Sequence, residues 1–148
     1  MTVIAWDGTK FVGDRLTDAS FASSVTKVHR IHRHLVGGAG EAVKVRDFIK
    51  WFEEGAVAED YPPHLFGANS HQGDGGFCVM VITPEGEIRL YEDSPNFMVI
   101  EDATHAIGSG APFAMAVMEL GHDAEKAVKV ASELCTGCGR GFNTLTLV

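Results

Sequence analysis

The order of its periodic segments is the feature that most constrains what this chain can fold into. Polar and apolar residues alternate in short stretches, and turn signals such as Asp-Gly and Pro-Glu-Gly separate several of them. Three hairpins are predicted, from residues 3–6 with 10–13, 24–30 with 34–36, and 77–83 with 88–91. Further short strands are predicted at residues 97–100, 104–107 and 145–148. The strands come in groups, which argues against alternating strand and helix units.

Helical periodicity interrupts the strands twice. From Glu41 onward, apolar residues recur at steps of three and four and stop at Gly55, where a helix C-cap is expected. Pro112 suits the first turn of a second helix that Gly121 ends, and Asp123 can cap a third helix. The buried stripe of this third helix is predicted to be Ala124, Ala127, Val128, Ala131 and Leu134. Together these elements predict an α+β fold in which helices cover sheets.

Residues 56–75 separate the first helix from the third hairpin. They hold two prolines, several glycines, Asn69, Ser70 and Asp74, which predicts a long surface loop or a short insertion. The 148 residues otherwise fit a single domain, residues 1–148, with one cooperative core.

The net charge and the lengths of the apolar stretches limit the kinds of partner that can be expected. Twelve Lys and Arg against twenty Asp and Glu give a net charge of −8 without a dense basic run, so nucleic acid is not expected as a partner. No apolar stretch reaches the roughly 20 residues of a membrane span, and no signal-peptide pattern opens the chain. The three cysteines are too few for a disulfide framework and are expected to be reduced. We therefore expect a soluble cytoplasmic protein that does not bind membranes.

Thr2 is the first residue that could carry chemistry. Removal of Met1 would leave a hydroxyl nucleophile and a free α-amine on one residue. An α-amine has a pKa of about 7.7 to 8.0, so roughly a tenth of it is neutral at pH 7 and can accept the hydroxyl proton. Position alone does not distinguish such a threonine from an ordinary one.

Five motifs occur in one order along nearly the whole chain. They are Thr-Val-Ile-Ala at 2–5, Gly-Asp at 13–14, Lys-Val-His-Arg-Ile at 27–31, Val-Gly-Gly-Ala-Gly-Glu-Ala at 36–42, and Ala-Ile-Gly-Ser-Gly-Ala-Pro-Phe-Ala at 106–114. In these motifs the chain resembles the N-terminal-nucleophile (Ntn) hydrolases of the proteasome family, closest to the bacterial HslV type. The resemblance implies a four-layer αββα sandwich, with two mainly antiparallel sheets between helix layers.

The resemblance also implies site residues. It makes Thr2 the nucleophile, Asp14 the carboxylate beside it and Lys27 the cationic residue of the site. A lysine with its ordinary pKa near 10.4 is a poor base at pH 7, so we assign Lys27 to electrostatic support and the Thr2 amine to the base. Asp14 would hold the ammonium by a charge-assisted hydrogen bond. Without the resemblance, Asp14 and Lys27 would be interpreted as a surface pair.

Two glycine-containing segments complete the implied site. Gly37 aligns with the glycine whose backbone N–H forms the oxyanion hole in this family, and Ser109 aligns with a serine that hydrogen-bonds around the nucleophile's amine. The alternative interpretation of residues 37–40 is a tight strand-to-helix turn. The alternative for Ser109 is a helix cap or a weak anion site.

The loop after the third helix departs from the family pattern. Relatives place an Asp and a Ser near the nucleophile from this loop, and residues 135–141 contain no Asp. The Cys-x-x-Cys at 135–138 could instead supply zinc ligands together with His29, His32 or His34, which would make the chain a zinc-stabilised binding module. In relatives, backbone carbonyls of this loop bind a monovalent cation. The corresponding site for Na⁺ is expected at Ser132, Cys135 and Cys138; no other cofactor is expected.

The function implied is a self-compartmentalising threonine endopeptidase. It would cleave peptides or unfolded proteins inside a homo-oligomeric ring, with an ATP-dependent AAA+ unfoldase as a possible partner. Residues 56–75 replace helical sequence that contacts neighbours in relatives, so partner docking is expected to differ. The alternative is a non-catalytic ring or scaffold subunit, because a retained Met1 would leave Thr2 without a free amine.

Overall fold

The computed structural model describes residues 1–17, 20–67 and 77–148. The strands are β1 Ile4–Trp6, β2 Lys10–Asp14, β3 Leu16–Thr17, β4 Ser23–Ser24, β5 Val28–Ile31, β6 His34–Gly40, β7 Phe77–Ile82, β8 Ile88–Tyr91, β9 Met98–Ile100, β10 His105–Ile107 and β11 Phe142–Thr146. The helices are α1 Ala42–Glu53, α2 Ala111–Glu119 and α3 Ala124–Leu134. The predicted α+β class and order of elements are confirmed. None of the described helices is long and apolar enough to cross a bilayer.

Two antiparallel sheets make up most of the strand structure. One has the order β10-β1-β2-β11 and the other the order β5-β6-β7-β8-β9, while β3 and β4 pair separately. The three predicted hairpins are β1 with β2, β5 with β6, and β7 with β8.

Apolar side chains of the described residues form three clusters. One includes Ile4, Phe11, Leu35 and Met80 and lies where β1 and β2 meet β6 and β7. A second joins β1, β2 and β10 to α2 and α3, and a third joins β6 and β7 to α1. Side chains alternate between the two faces of a strand, so β6 can supply Leu35 to one cluster and Val36 to another. Both sheets are therefore apolar on both faces.

The described part of the predicted loop, residues 56–67, is more ordered than the sequence pattern indicated. It contains two 3₁₀ helices, Ala58–Asp60 and Pro63–Leu65. Tyr61 and Leu65 are buried in the α1 cluster, with the Tyr61 and Trp51 rings edge to face at 4.8 Å between centroids. Of the two predictions for this segment, a long surface loop or a short insertion, the described part favours the insertion, because these apolar groups pack against α1. Residues 68–75, with Asn69, Ser70 and Asp74, lie outside the described residues.

Two boundary predictions also need correction. Leu134 is 61% exposed at the last turn of α3, so the buried stripe ends with Ala131. The last strand begins at Phe142 rather than Leu145, because its main chain pairs with the whole of β2 from Asp14 to Lys10. Main-chain pairing there overrides the polar character of residues 143 and 144, which hid the strand from a pattern analysis.

Gly37 and Gly38 lie inside β6, so the expectation of a tight turn at residues 37–40 is wrong for this pair. A Cβ at Gly37 would lie 3.0 Å from Ile4 Cδ1, and one at Gly38 would lie 2.6 Å from Val45 Cγ1. The two glycines therefore permit close packing against β1 on one face and α1 on the other. Only Gly40, at the end of the strand, has a positive φ among residues 37–40, +118°.

Candidate active site

Thr2, Asp14 and Lys27 meet at one end of the smaller sheet. Lys27 Nζ donates to Thr2 Oγ1 at 3.1 Å and to Asp14 Oδ1 at 2.9 Å. Thr2 lies two residues before β1, Asp14 ends β2 and Lys27 directly precedes β5, so the two hairpins bring the three side chains together. The structure thus joins residues that are up to 25 positions apart in the chain.

The buried carboxylate of Asp14 is held by several hydrogen bonds. Its side chain is fully buried, and the backbone N–H of Val3 donates to Oδ1 at 3.0 Å. Oδ2 accepts from the N–H of Gly139 at 3.0 Å and of Leu16 at 3.3 Å. A buried carboxylate needs such donors and a cation to offset its lost hydration. Asp14 is thereby held in one orientation, and it orients Lys27 in turn.

The backbone of Thr2 is held by the segment between β10 and α2. The Thr2 N–H donates to Ser109 Oγ at 3.3 Å, and the Gly110 N–H donates to the Thr2 carbonyl at 3.1 Å. Gly108 has a φ of +96°, and a Cβ there would overlap the Thr2 carbonyl. Thr2 is 7% exposed as a result. Ser109 therefore joins the group that the sequence motifs predicted.

Replacing Gly108 with alanine is expected to destabilise the fold and to displace Thr2. The new Cβ would meet both an unfavourable positive φ and the backbone of Thr2, which we expect to cost about 2–4 kcal/mol in the free energy of unfolding. Gly121→Ala is the matched control, because Gly121 has a φ of +94° with nothing within 4 Å of its Cβ position. Urea unfolding of both variants measures the difference. Equal losses would mean that the contact with Thr2 adds nothing.

Two thiols, from Cys135 and Cys138, also reach Ser109. Cys135 Sγ lies 3.5 Å and Cys138 Sγ 3.8 Å from Ser109 Oγ. The hydrogen bond with Ser109 lowers the pKa of Cys135, whereas burial raises the pKa of Cys138 to about 12. The sequence pattern indicates these cysteines only as metal ligands. Their position in the loop that departs from the family pattern was the signal that they border the site.

A cavity of about 450 Å³ opens beside Thr2 and Lys27. Its lining combines the first two residues of the chain and the segment between β4 and β5 with residues of β3, β5, β6 and α1: Met1, Thr2, Leu16, Thr17, Val25, Thr26, Lys27, His29, Gly38, Gly40, Ala42, Val45, Arg46, Ile49 and Glu53. Gly37 is not among these residues, and a Cβ there would point toward Ile4 and Phe11. Gly38 and Gly40 line the cavity instead, at the point where β6 continues beyond its last pair with β5, Val28 with Gly37.

The ligands that the zinc alternative requires do not come together among the described residues. Among residues 1–17, 20–67 and 77–148, no three His, Cys, Asp or Glu side chains come together as metal ligands. His32 Nε2 contacts the carbonyl of Glu53 at 2.7 Å, and His34 Nδ1 contacts the carbonyl of His32 at 2.7 Å. These two ring nitrogens are already engaged within the five-stranded sheet and α1.

The expected cation site fits by donor chemistry. Ser132 lies in the last turn of α3, where carbonyls lack helical partners, and Cys135 and Cys138 begin and end the following turn. Carbonyl oxygens at a helix C-terminus suit a hard monovalent cation such as Na⁺. Na⁺ binding there remains a prediction.

Met1 contacts Lys27 and Gly137 beside Thr2. Lys27 Nζ donates to the Met1 carbonyl at 2.9 Å, and the Met1 side chain lies against Gly137. With the Met1–Thr2 peptide bond present, the Thr2 nitrogen is an amide, which cannot accept a proton from the hydroxyl.

Comparisons with known proteins bear on the fold. No protein-family model matches the chain, and no curated protein matches it in sequence. Eukaryotic HslV from Trypanosoma brucei matches with a TM-score of 0.70 and 22% identity, covering 97% of each chain. Thiobacillus denitrificans BPH in complex with Epoxomicin matches with a TM-score of 0.68 and 19% identity, covering 99% of this chain and 98% of that one.

A third match is the Anbu (Gly-1) mutant from Hyphomicrobium sp. strain MC1. Its TM-score is 0.68 at 12% identity, and the match covers 99% of this chain and 81% of that one. At such low identity the matches establish the fold, and they agree with the resemblance that the five motifs indicated. Over its full length, the chain has the fold of HslV and of the proteasome-like Ntn hydrolases BPH and Anbu.

Proposed function

We propose that this chain is a threonine peptidase of the Ntn-hydrolase family, with the four-layer αββα sandwich of that family and Thr2 as its nucleophile once Met1 is removed. The observation that carries the proposal is the position of Lys27 Nζ, 3.1 Å from Thr2 Oγ1 and 2.9 Å from the buried Asp14. A hydroxyl that only packs in a core does not need a cation held against it by a buried carboxylate. The cavity beside Thr2 supplies room for a peptide.

In the proposed reaction, Thr2 Oγ1 attacks the carbonyl carbon of a peptide and its proton passes to the free α-amine of the same residue. The Lys27 ammonium favours the charge that develops on the oxygen, and Asp14 keeps that ammonium in place. The amine then protonates the leaving nitrogen, which breaks the peptide bond and leaves an ester on Thr2. Water, deprotonated by the same amine, hydrolyses the ester and restores the hydroxyl.

The oxyanion of this reaction needs a backbone donor beside Thr2. The resemblance assigns this role to the Gly37 N–H, and that assignment stays a prediction. Gly38 and Gly40 line the cavity, so their amides are further candidates for the donor. A single such donor typically contributes about 3 kcal/mol to the stability of the transition state.

We further propose that the protein acts as a homo-oligomeric ring in the cytoplasm, on peptides or unfolded proteins, with an AAA+ unfoldase as its possible partner. An N-terminal nucleophile that cleaves many chains is safe only when enclosed. The similarity in fold to HslV along 97% of both chains supports this assembly.

Intact mass and a covalent probe test the proposal. Protein prepared fresh from its native host is expected to lack Met1, and epoxomicin, the compound in the BPH complex, is expected to add to Thr2. Thr2→Ala is the control that should add no probe. Retention of Met1 together with absence of the adduct would support the non-catalytic scaffold.

The scaffold alternative has one observation in its favour. Lys27 donates to the Met1 carbonyl and Gly137 accommodates the Met1 side chain, so the fold accepts Met1 at the site. In that form the α-amine belongs to Met1 and Thr2 has no base. The mass of the N-terminal peptide distinguishes the two forms directly.

A further inference from the structure

Cys135 and Cys138 form a pair of thiols that the proposed reaction does not use. Both sulfurs lie against one hydroxyl, Ser109 Oγ, at 3.5 and 3.8 Å. The same hydroxyl accepts the N–H of Thr2 at 3.3 Å. The pair therefore contacts the group that holds the nucleophile's nitrogen, and any change in the thiols is one contact away from Thr2.

The turn between the two cysteines suits a disulfide. The Cys138 N–H donates to the Cys135 carbonyl at 3.1 Å, which closes a four-residue turn. Such a turn keeps its first and last Cα within about 7 Å, and disulfides span Cα separations of about 4.4–6.8 Å. Gly137 lies between the cysteines and places no side chain in the turn. The sulfurs can thus approach by rotation about χ1 with little movement of the backbone.

The two thiols differ in access. Cys135 is half-buried at the end of α3, whereas Cys138 is 5% exposed and belongs to the apolar cluster under α2 and α3. A small oxidant from solvent therefore meets Cys135 first. Cys138 is positioned to react with whatever forms on Cys135.

We propose that Cys135 and Cys138 are a peroxide-reactive dithiol that closes reversibly into a disulfide beside Thr2. The Cys135 sulfur attacks one oxygen of hydrogen peroxide, the O–O bond breaks, and a sulfenic acid and water form. The Cys138 sulfur then attacks the Cys135 sulfur, releasing a second water and forming the S–S bond. Two thiols lose two electrons and two protons in total, and the peroxide gains them.

Closure would change the hydrogen bonds of Ser109. The disulfide has no S–H groups and draws the two sulfurs together, so the contacts of both sulfurs with the Ser109 hydroxyl change and this hydroxyl rearranges around Thr2. This consequence for reactivity rests on the proposed function. Because a lost hydrogen bond is worth about 0.5–1.5 kcal/mol, we expect epoxomicin to add to Thr2 roughly three- to tenfold more slowly in the oxidised protein.

Mass spectrometry of the full chain tests the dithiol itself. A small molar excess of hydrogen peroxide should lower the intact mass by two hydrogen atoms, and peptide mapping should join residues 135 and 138. Dithiothreitol should restore the original mass. Cys78→Ala is the control expected to behave like the wild type, since Cys78 lies on β7, outside the turn that Cys135 and Cys138 close.

Variants that replace one cysteine at a time distinguish the role of Cys135 from that of Cys138. Cys138→Ser should let dimedone trap a sulfenic acid on Cys135, whereas Cys135→Ser should give neither a disulfide nor dimedone labelling at Cys138. Absence of the 135–138 disulfide in the wild type, or equal labelling of both variants, would overturn the proposal. The mass measurement tests the dithiol proposal even if epoxomicin never reacts with Thr2. A failure of epoxomicin to react would count only against the proposed peptidase function.

An equal rate of epoxomicin addition to the reduced and oxidised forms would overturn the coupling to Thr2. Each protein is compared with its own reduced form, so changes that a substitution makes to the resting site do not enter the ratio.

Discussion

Lys27→Ala is expected to reduce epoxomicin addition and peptide hydrolysis by roughly 10²- to 10³-fold while the protein stays folded. The substitution removes the ammonium that lies 3.1 Å from Thr2 Oγ1, and no other lysine or arginine of the described residues donates to that oxygen. Asp14 keeps the N–H groups of Val3, Leu16 and Gly139, so the buried carboxylate retains part of its compensation.

Lys10→Ala is the matched control for that prediction. Lys10 begins the strand that Asp14 ends, and it pairs with Asp123 and Glu125 on the surface, so its removal changes the net charge equally. Circular dichroism and gel filtration report fold and assembly, and the rate of adduct formation reports the site. Rates for Lys27→Ala within a factor of two of the wild type would remove Lys27 from the proposed mechanism.

The motif residues could be located because the chain's motifs resemble those of a known family, and in the structure all of them except Gly37 lie at or within two residues of a strand end. Thr2 precedes β1, Asp14 ends β2 and Ser109 follows β10, and the pairing of these three neighbouring strands brings their ends to one place. Hairpin signals in the sequence predict the pairing of β1 with β2, whereas the pairing of β1 with β10 joins residues about 100 positions apart and has no such signal. The N-cap of α3 could also be predicted, because a cap depends only on neighbouring residues. Asp123 accepts the N–H of Lys126, as a first-turn cap does.

Features that depend on register and on tertiary packing could not be predicted in the same way. Whether Gly37 or Gly38 faces the cavity depends on which face of β6 packs on β1, and a shift of one residue reverses the answer. The burial of Tyr61 depends on α1, and the contact of Cys135 with Ser109 depends on an irregular turn. Neither contact has a periodic signature in the sequence.

Asp14→Asn is expected to destabilise the fold as well as the site. The variant keeps the shape of the side chain but replaces one acceptor oxygen by an NH₂ group, which would face backbone N–H donors or the ammonium of Lys27. Breaking one partner of a buried ion pair costs about 3–5 kcal/mol. Lys27 keeps 10% of its side chain exposed and can recover some hydration, so we expect the lower end of that range.

For a domain of this size, about 3 kcal/mol corresponds to a fall of roughly 6–12 °C in the unfolding temperature. Asp123→Asn is the control, because Asn caps a helix as well as Asp does and Asp123 is 44% exposed on its side chain; its cost should stay within about 0.5 kcal/mol. Calorimetry measures both. If Asp14→Asn unfolds at the wild-type temperature yet loses epoxomicin reactivity, the carboxylate serves the orientation of Lys27 alone, and the structural role argued from its buried hydrogen bonds is wrong.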